Sequence, residues 1–428
     1  MRILVTGAYG FIGSAVTARL VAAQHEVVGL GRNSARVAAR LPAVRWISLD
    51  IAKAKRTEDW LPHIAGMDAV VSCAGVLQDG AGDDVRAVHV DGTLALFEAC
   101  KRAGVRRVVH ISAIGVETDT PFAKTKREAD EALMKSGLDW IVLRPSIVVG
   151  RNVYGGTALI RALASLPLLP LGPRDPILQP VQVGELAEAV AYFLRPEAPV
   201  RNLLEVAGPE RIALSEMIAQ YRRWLGYRPA KVIRVPASLE TLPFRLGDFA
   251  GLLGWRPPLR TTALRQLQRD VVGDHKGWTS VTGIQATALA EALARDPTSV
   301  QERWFAKLFL MKPLLIGGLV LFWVVTGLVT LGPARDAGIL LLLQAGLGTY
   351  AGPAGNGGAM LDVIIGVGIA LRKTVRHALY AAITVSLGYL LLGGVLLPAL
   401  WADPLGPLVK IVPVLLASFA TLAILDDR

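Results

Sequence analysis

The chain has 428 residues, 52% of them hydrophobic, with mean hydropathy +0.44 and 46 basic against 35 acidic side chains, a net charge of +11. That length exceeds one ordinary domain, and two cysteines, Cys73 and Cys100, set far apart in apolar surroundings, exclude a disulfide framework or a cysteine zinc site. The hydrophobic excess collects near the C-terminus: residues 1–310 hold 39 basic and 30 acidic side chains, and the remainder hold only 7 and 5.

The first 150 residues alternate short β-rich runs with helical stretches. Strands are predicted at 3–6, 27–30, 45–48, 69–72, 108–111 and 140–143, with helices between several of them, notably at 84–103 and 122–136. Alternation at this spacing predicts an α/β fold, a doubly wound parallel sheet of the Rossmann type. From residue 151 the pattern loosens into two helices, 183–193 and 214–225, and short strands at 202–206 and 232–235. These read as a small substrate lobe, so residues 1–235 are expected to form a nucleotide-binding domain that includes it.

Residues 236–312, rich in Pro, Gly and Arg, read as a linker or membrane-proximal segment. Within it the apolar run LPFRLGDFAGLLGW at 242–255 reads as core packing, with a lid over a pocket or an interfacial element as the alternatives.

Residues 313–428 read as a transmembrane helical bundle of about four spans. Residues 313–331 carry no charge over 19 positions, close to the ~20 needed to cross a hydrocarbon core. Further spans are expected at 357–371, which carries one charge, Asp362, and at 380–400 and 411–425. Residues 339–347 are too short to cross. Four spans return the chain to its starting side, where the loop RKTVRH at 372–377 would lie. Positive residues collect in the cytoplasm, and the chain opens on a strand rather than a signal peptide. The water-facing part is therefore expected in the cytoplasm, at a bacterial-type inner membrane. A basic domain beside a bilayer suits anionic headgroups, and without a recognition motif no nucleic-acid partner is expected.

The chemistry concentrates in TGAYGFIG at 6–13, a turn with Gly7, Gly10 and Gly13 that leaves a strand and opens a helix at Phe11 and Ile12. Such glycines let the backbone reach a pyrophosphate, which then meets the free amides at the helix N-terminus. An NAD site ordinarily has an acid at the end of the second strand. Here no Asp or Glu occurs from Val27 to Leu49, and Arg32, with Asn33 and Arg36 nearby, stands where a 2′-phosphate would lie. Guanidinium matches phosphate bidentately, so NADP(H) is the favoured cofactor and NAD(H) the alternative.

These features, with LDI at 49–51, SCAGV at 72–76, HISAIG at 110–115, FAKTK at 122–126 and LRPSIVVG at 143–150, resemble the extended and atypical short-chain dehydrogenase/reductase superfamily. The resemblance is nearest to the branch holding the NAD(P)H-binding accessory subunit of respiratory complex I. It implies that Asp50 and Ile51 flank the adenine, that Ala74 and Gly75 line the nicotinamide ribose, that Tyr9 belongs to the cofactor-binding turn, and that Lys126 holds the ribose hydroxyls. The C-terminal spans look similar to the DoxX-like membrane family.

The superfamily's working helix carries Tyr-x-x-x-Lys, with a Ser on the preceding strand. Ser112 and Lys126 match, but Phe122 occupies the tyrosine position. Phenylalanine transfers no proton, and losing a general acid removes roughly 10²–10⁴-fold in rate. Tyr154, after LRPSIVVG on a loop expected to face the cofactor, and Tyr9 in the glycine turn are the other conceivable donors, and His110 reads as a core residue. The sequence thus favours a membrane-anchored nucleotide-binding assembly or sensor subunit, non-catalytic or weakly catalytic, with a membrane-complex partner. The alternative is an NADPH-dependent oxidoreductase acting on a quinone or other lipid-soluble substrate. No metal site is expected.

Overall fold

The computed structural model describes residues 1–32, 37–39, 41–80 and 82–426, apart from the side chains of residues 266 and 267. Contacts divide the chain into two units, one of residues 1–249 and 257–303, the other of residues 250–256 and 304–428.

The first unit is built on a seven-stranded sheet: β1 (Arg2–Thr6), β2 (Glu26–Gly31), β3 (Arg45–Ser48), β4 (Ala69–Ser72), β5 (Arg107–Ile111), β6 (Asp139–Pro145) and β7 (Asn202–Val206). The order is β7-β6-β5-β4-β1-β2-β3, and every pairing is parallel. Alternate residues feed opposite faces, as strand geometry requires. Ile3, Val5, Val109 and Ile141 join one core layer, with Val16 and Leu20 of α1 (Phe11–Ala22). Leu4, Val28, Val70 and Val108 join the other, with Trp60 and Ile64 of α2 (Thr57–Ile64), Leu96 and Phe97 of α3 (Gly92–Ala103), and Leu133 of α4 (Pro121–Met134). Strands buried on both faces explain the near-continuous apolar runs in the sequence.

Two elements differ from the sequence expectation. The strand at 202–206 pairs with β6 and so completes the main sheet; α5 (Val183–Phe193) supplies Leu186, Val190 and Phe193 to the same core as α1. The helix expected over 84–103 is interrupted by one π-turn, Ala87–Asp91, just before α3. Residues 257–303 also pack within this unit: Trp278 is fully buried, and its indole N–H donates to the Ala207 carbonyl at 2.9 Å.

The second unit is helical. Among the described residues three helices are long and apolar enough to cross a membrane: Val300–Leu331, Gly348–Ala370 and Val375–Leu396. The fourth expected span forms a shorter apolar helix, Pro407–Ala423, with Pro407 at its first turn. Residues 339–347 fall mostly in a ten-residue helix, Arg335–Gln344, too short to span. Trp255, in the apolar run read as core packing, packs in this unit: its N–H donates to the Ala370 carbonyl at 2.7 Å, and the Arg372 guanidinium lies 5.3 Å from its ring centre.

Candidate nucleotide site

The glycine turn has the shape a dinucleotide needs. Gly7 has φ +62°, and a Cβ there would stand 2.9 Å from the Ala74 Cα. A Cβ on Gly13 would stand 2.1 Å from the Gly7 carbonyl oxygen. Neither position tolerates a side chain, so the turn needs glycine at both. Gly10 is the N-cap of α1, and no side chain caps that end, where Phe11, Ile12 and Gly13 form the first turn. An uncapped helix start beside a glycine cradle fits a pyrophosphate.

The residues expected beside the adenine lie at the C-terminal ends of β2 and β3. The Tyr9 ring covers Gly31, where a Cβ would fall 2.1 Å from the ring. Arg32 follows directly, but it is engaged by the chain itself: Nη1 donates to the Gly82 carbonyl at 2.7 Å and to Asp83 Oδ1 at 2.9 Å. Asp50 accepts from the Ala52 amide at 3.2 Å, and Ile51 is buried, its carbonyl against Gly92 at the start of α3. Asn33 and Arg36 lie outside the described residues.

Among the residues expected beside the nicotinamide ribose, Ala74 donates its amide to Thr6 Oγ1 at 3.4 Å, and Gly75 faces Lys126 Nζ, 3.6 Å from where a Cβ would be. Thr120 caps α4 by accepting from the Ala123 amide, and Pro121 starts the helix. This fixes Phe122 and Lys126 one turn apart. Lys126 is buried and donates to the Ile111 carbonyl at 2.9 Å. Burial pushes its amine down to about 8, with Asp130 and Cys73 opposing. The same burial pushes the Cys73 thiol up to about 12.

Phe122 sits edge-on to His89, ring centres 5.4 Å apart. The π-turn places His89 so that Nε2 accepts from the Val76 amide at 3.0 Å, while Nδ1 lies 2.9 Å from Thr125 Oγ1. Nδ1 therefore carries the ring proton. Burial, then the charge of Lys126, drives this imidazole down to about 2, so it stays neutral.

Ser112 lies near Lys126, but its hydroxyl donates to Asp130 Oδ2 at 2.9 Å. Arg144 Nε donates to the same oxygen at 3.0 Å. Asp130 is fully buried; burial raises its carboxyl, against the Ser112 hydrogen bond and Arg144. His110, also buried, comes no closer than 3.7 Å to Asp130 Oδ1 and is held neutral by burial and Lys126, so the contact is not an ion pair. Tyr154 is 40% exposed on its loop. Sequence reasoning missed Asp130, Arg144 and His89, which carry no motif of their own; the one available hint was Asp130 standing one turn after Lys126 on the same helix.

A cavity of about 530 Å³ opens at the cap of α4, lined by Asp119, Thr120, Arg174, Arg265, Gln268 and Arg269. Its three guanidinium groups suit an anionic group.

A parallel α/β sheet with an open glycine turn, joined to long apolar helices, defines a dinucleotide-binding domain coupled to a membrane unit. Residues 7–160 match the NAD(P)H-binding family and residues 320–419 the DoxX-like family. The chain thus combines an NAD(P)-binding domain like the short-chain dehydrogenases/reductases with a DoxX-like domain, and it is a membrane protein. An uncharacterized protein of Mycobacterium tuberculosis is 33% identical over 242 residues, 56% of this chain; the match spans only 26% of that relative's length. A UDP-glucose 4-epimerase of Mycolicibacterium smegmatis is 29% identical over 304 residues, covering 60% of this chain and 94% of the relative. A ceramide reductase of Caulobacter vibrioides is 24% identical over 245 residues, 55% of this chain and 73% of the relative. Among solved structures, MoeE5 with UDP-glucose and NAD superposes with TM-score 0.53 at 20% identity, over 72% of this chain and all of that one, a likeness of fold.

Proposed function

We propose that this protein is a membrane-anchored NADP(H)-binding subunit, used for assembly or sensing within a membrane complex, rather than a carbonyl reductase. The observation that carries the reading is the proton path. Phe122 replaces the residue that would give a proton to substrate, and the neighbouring Ser112 hydroxyl is turned onto Asp130. What remains intact is binding: the glycine cradle, the uncapped helix start and Lys126. Bound NADPH would supply a hydride, but the phenol that would deliver the accompanying proton to a carbonyl is replaced by Phe122. Preference for the 2′-phosphate rests on Arg32 at the end of a strand without an acid. In this reading Tyr9, Asp50, Ile51, Ala74 and Gly75 line the cofactor, and the nucleotide domain lies in the cytoplasm, with the basic loop at 372–377 on the same side of an inner membrane. Calorimetric titration with NADPH alongside an NADPH-oxidation assay tests the reading: tight binding without turnover is expected.

A second reading is an NADPH-dependent reductase of a lipid-soluble acceptor such as a quinone, which takes its protons from solvent. The DoxX-like membrane unit favours it, as does a relative named as a ceramide reductase. Sustained NADPH oxidation with a quinone would select it.

A further inference from the structure

The membrane unit holds a buried acid that the nucleotide reading does not use. Asp362 is the one charged residue of the helix Ala351–Ala370 and is 4% exposed. At 1.5 Å per residue it stands about 12 Å along the helix from Ala370 and about 16 Å from Ala351, deep in the span. Tyr389, on the neighbouring helix Val375–Leu396, donates its phenol to Asp362 Oδ1 at 3.0 Å. Gly358, one turn before Asp362, faces that phenol: a Cβ there would be in ordinary contact, 3.6 Å from the Tyr389 oxygen. One turn after Asp362, Gly366 lets the helix Val300–Leu331 approach, since a Cβ there would lie 2.9 Å from the Val324 nitrogen and 3.1 Å from the Trp323 Cβ. Small residues bring these backbones together as in other membrane bundles. Asp362 therefore lies on a helix clasped by two others.

No lysine or arginine pairs with Asp362 among the described residues; Arg376, which pairs with Asp426, lies in the first turn of its helix. Trp323, 2% exposed in the same unit's core as Ile365, has an indole N–H without a partner among the described residues. An ionised carboxylate held by one hydrogen bond and no cation is costly in hydrocarbon. A carboxylic acid is far less so, and it can still accept from Tyr389. A fixed helix-to-helix hydrogen bond would need only a neutral acceptor such as Asn; an acid at this position adds a second, proton-free state.

We propose that Asp362 and Tyr389 form a proton-exchange site inside the membrane bundle. In the loaded state the Asp362 carboxyl holds the proton and accepts the Tyr389 hydrogen bond. On release the Asp362 O–H bond breaks, the proton passes to water, and Tyr389 keeps its own proton and stabilises the carboxylate left behind. No electrons move. The site lies wholly in the second unit and does not depend on the nucleotide reading.

Infrared difference spectra of the full chain in lipid nanodiscs, taken between mildly acidic and alkaline buffers, test this directly. A carboxylic C=O band should be present in acid, vanish in alkali, and be missing throughout in Asp362→Asn. In Tyr389→Phe the band should move to higher wavenumber, because its hydrogen bond is gone. Unchanged helical circular dichroism and a single elution peak show that each variant is folded, and if Asp362→Asn does not fold, the Tyr389→Phe displacement alone makes the assignment. The proposal is overturned if no such band occurs, if the Asp362 band is the same in both buffers, or if Tyr389→Phe leaves it unmoved.

Discussion

Ser112 gives its hydroxyl hydrogen to Asp130: Oγ and Oδ2 are 2.9 Å apart, and both residues are buried. The serine that this superfamily sets against a substrate carbonyl is here part of an internal network with Arg144. That network ties the end of β5 and β6 to α4.

Asp130→Ala is accordingly expected to destabilise the first unit. Arg144 is mostly buried, with 13% of its side chain exposed, and would lose its fully buried partner. Breaking a buried pair by removing one member costs roughly 3–5 kcal/mol. Thermal unfolding of the full chain, followed by tryptophan fluorescence, should show a clear fall in midpoint. Glu117→Ala, removing an exposed carboxylate 3.3 Å from the same arginine, should change little.

Lys126 gives a pH signature. Its folded-state value is lowered to about 8 from 10.5, chiefly by burial. Between those values the unfolded chain binds the extra proton, so stability rises with pH over that window. Below about 8 the buried charge is retained and the gain is absent. Lys126→Met should flatten this rise in unfolding measurements, and it should also abolish NADPH binding through loss of the ribose contact.

Arg32 is shared between Asp83 and the expected 2′-phosphate. NADPH should bind more tightly than NADH, and Arg32→Ala should erase the difference, a loss of roughly 1.5–3 kcal/mol. Asp83→Asn should widen the preference for NADPH, because the competing carboxylate charge is gone. Equal calorimetric affinities for the two cofactors in the unmutated protein would remove the 2′-phosphate assignment.

The membrane topology has a direct reporter test. Fusions after Leu331 and after Trp401 should report the outer side, and fusions after Arg376 the cytoplasm. A fusion after Asp426 reporting the outer side would show that the 17-residue helix Pro407–Ala423 does not cross, or that Arg335–Gln344 does.

The centre of the sheet was legible because strands such as 69–72 are buried on both faces and read as unbroken apolar runs; the more exposed edge strands at 45–48 and 202–206 coincide with their predicted bounds as well. The place of 202–206 was not legible, since a five-residue strand pattern does not say which edge it joins. The glycine turn was legible because Gly7 and Gly13 meet backbone that would exclude any side chain. The Ser112–Asp130–Arg144 network was hidden because its members come from three elements, and nothing in their spacing announces that they converge. The engagement of Arg32 by Asp83 was hidden for the same reason, their separation of 51 residues being closed only by the fold. Asp362 was visible as a lone charge in an apolar stretch, but its partner Tyr389 was not.

The most direct test of the central claim, binding without a proton path, sets NADPH calorimetry beside steady-state NADPH oxidation on one detergent-solubilised sample, for the native chain and for Phe122→Tyr, with simple carbonyls and a panel of membrane quinones. The expected result is stoichiometric NADPH binding by both proteins and turnover by neither, because the Ser112 hydroxyl remains committed to Asp130 even when a phenol is restored. Steady oxidation of NADPH by the native protein with any quinone or carbonyl would contradict the account.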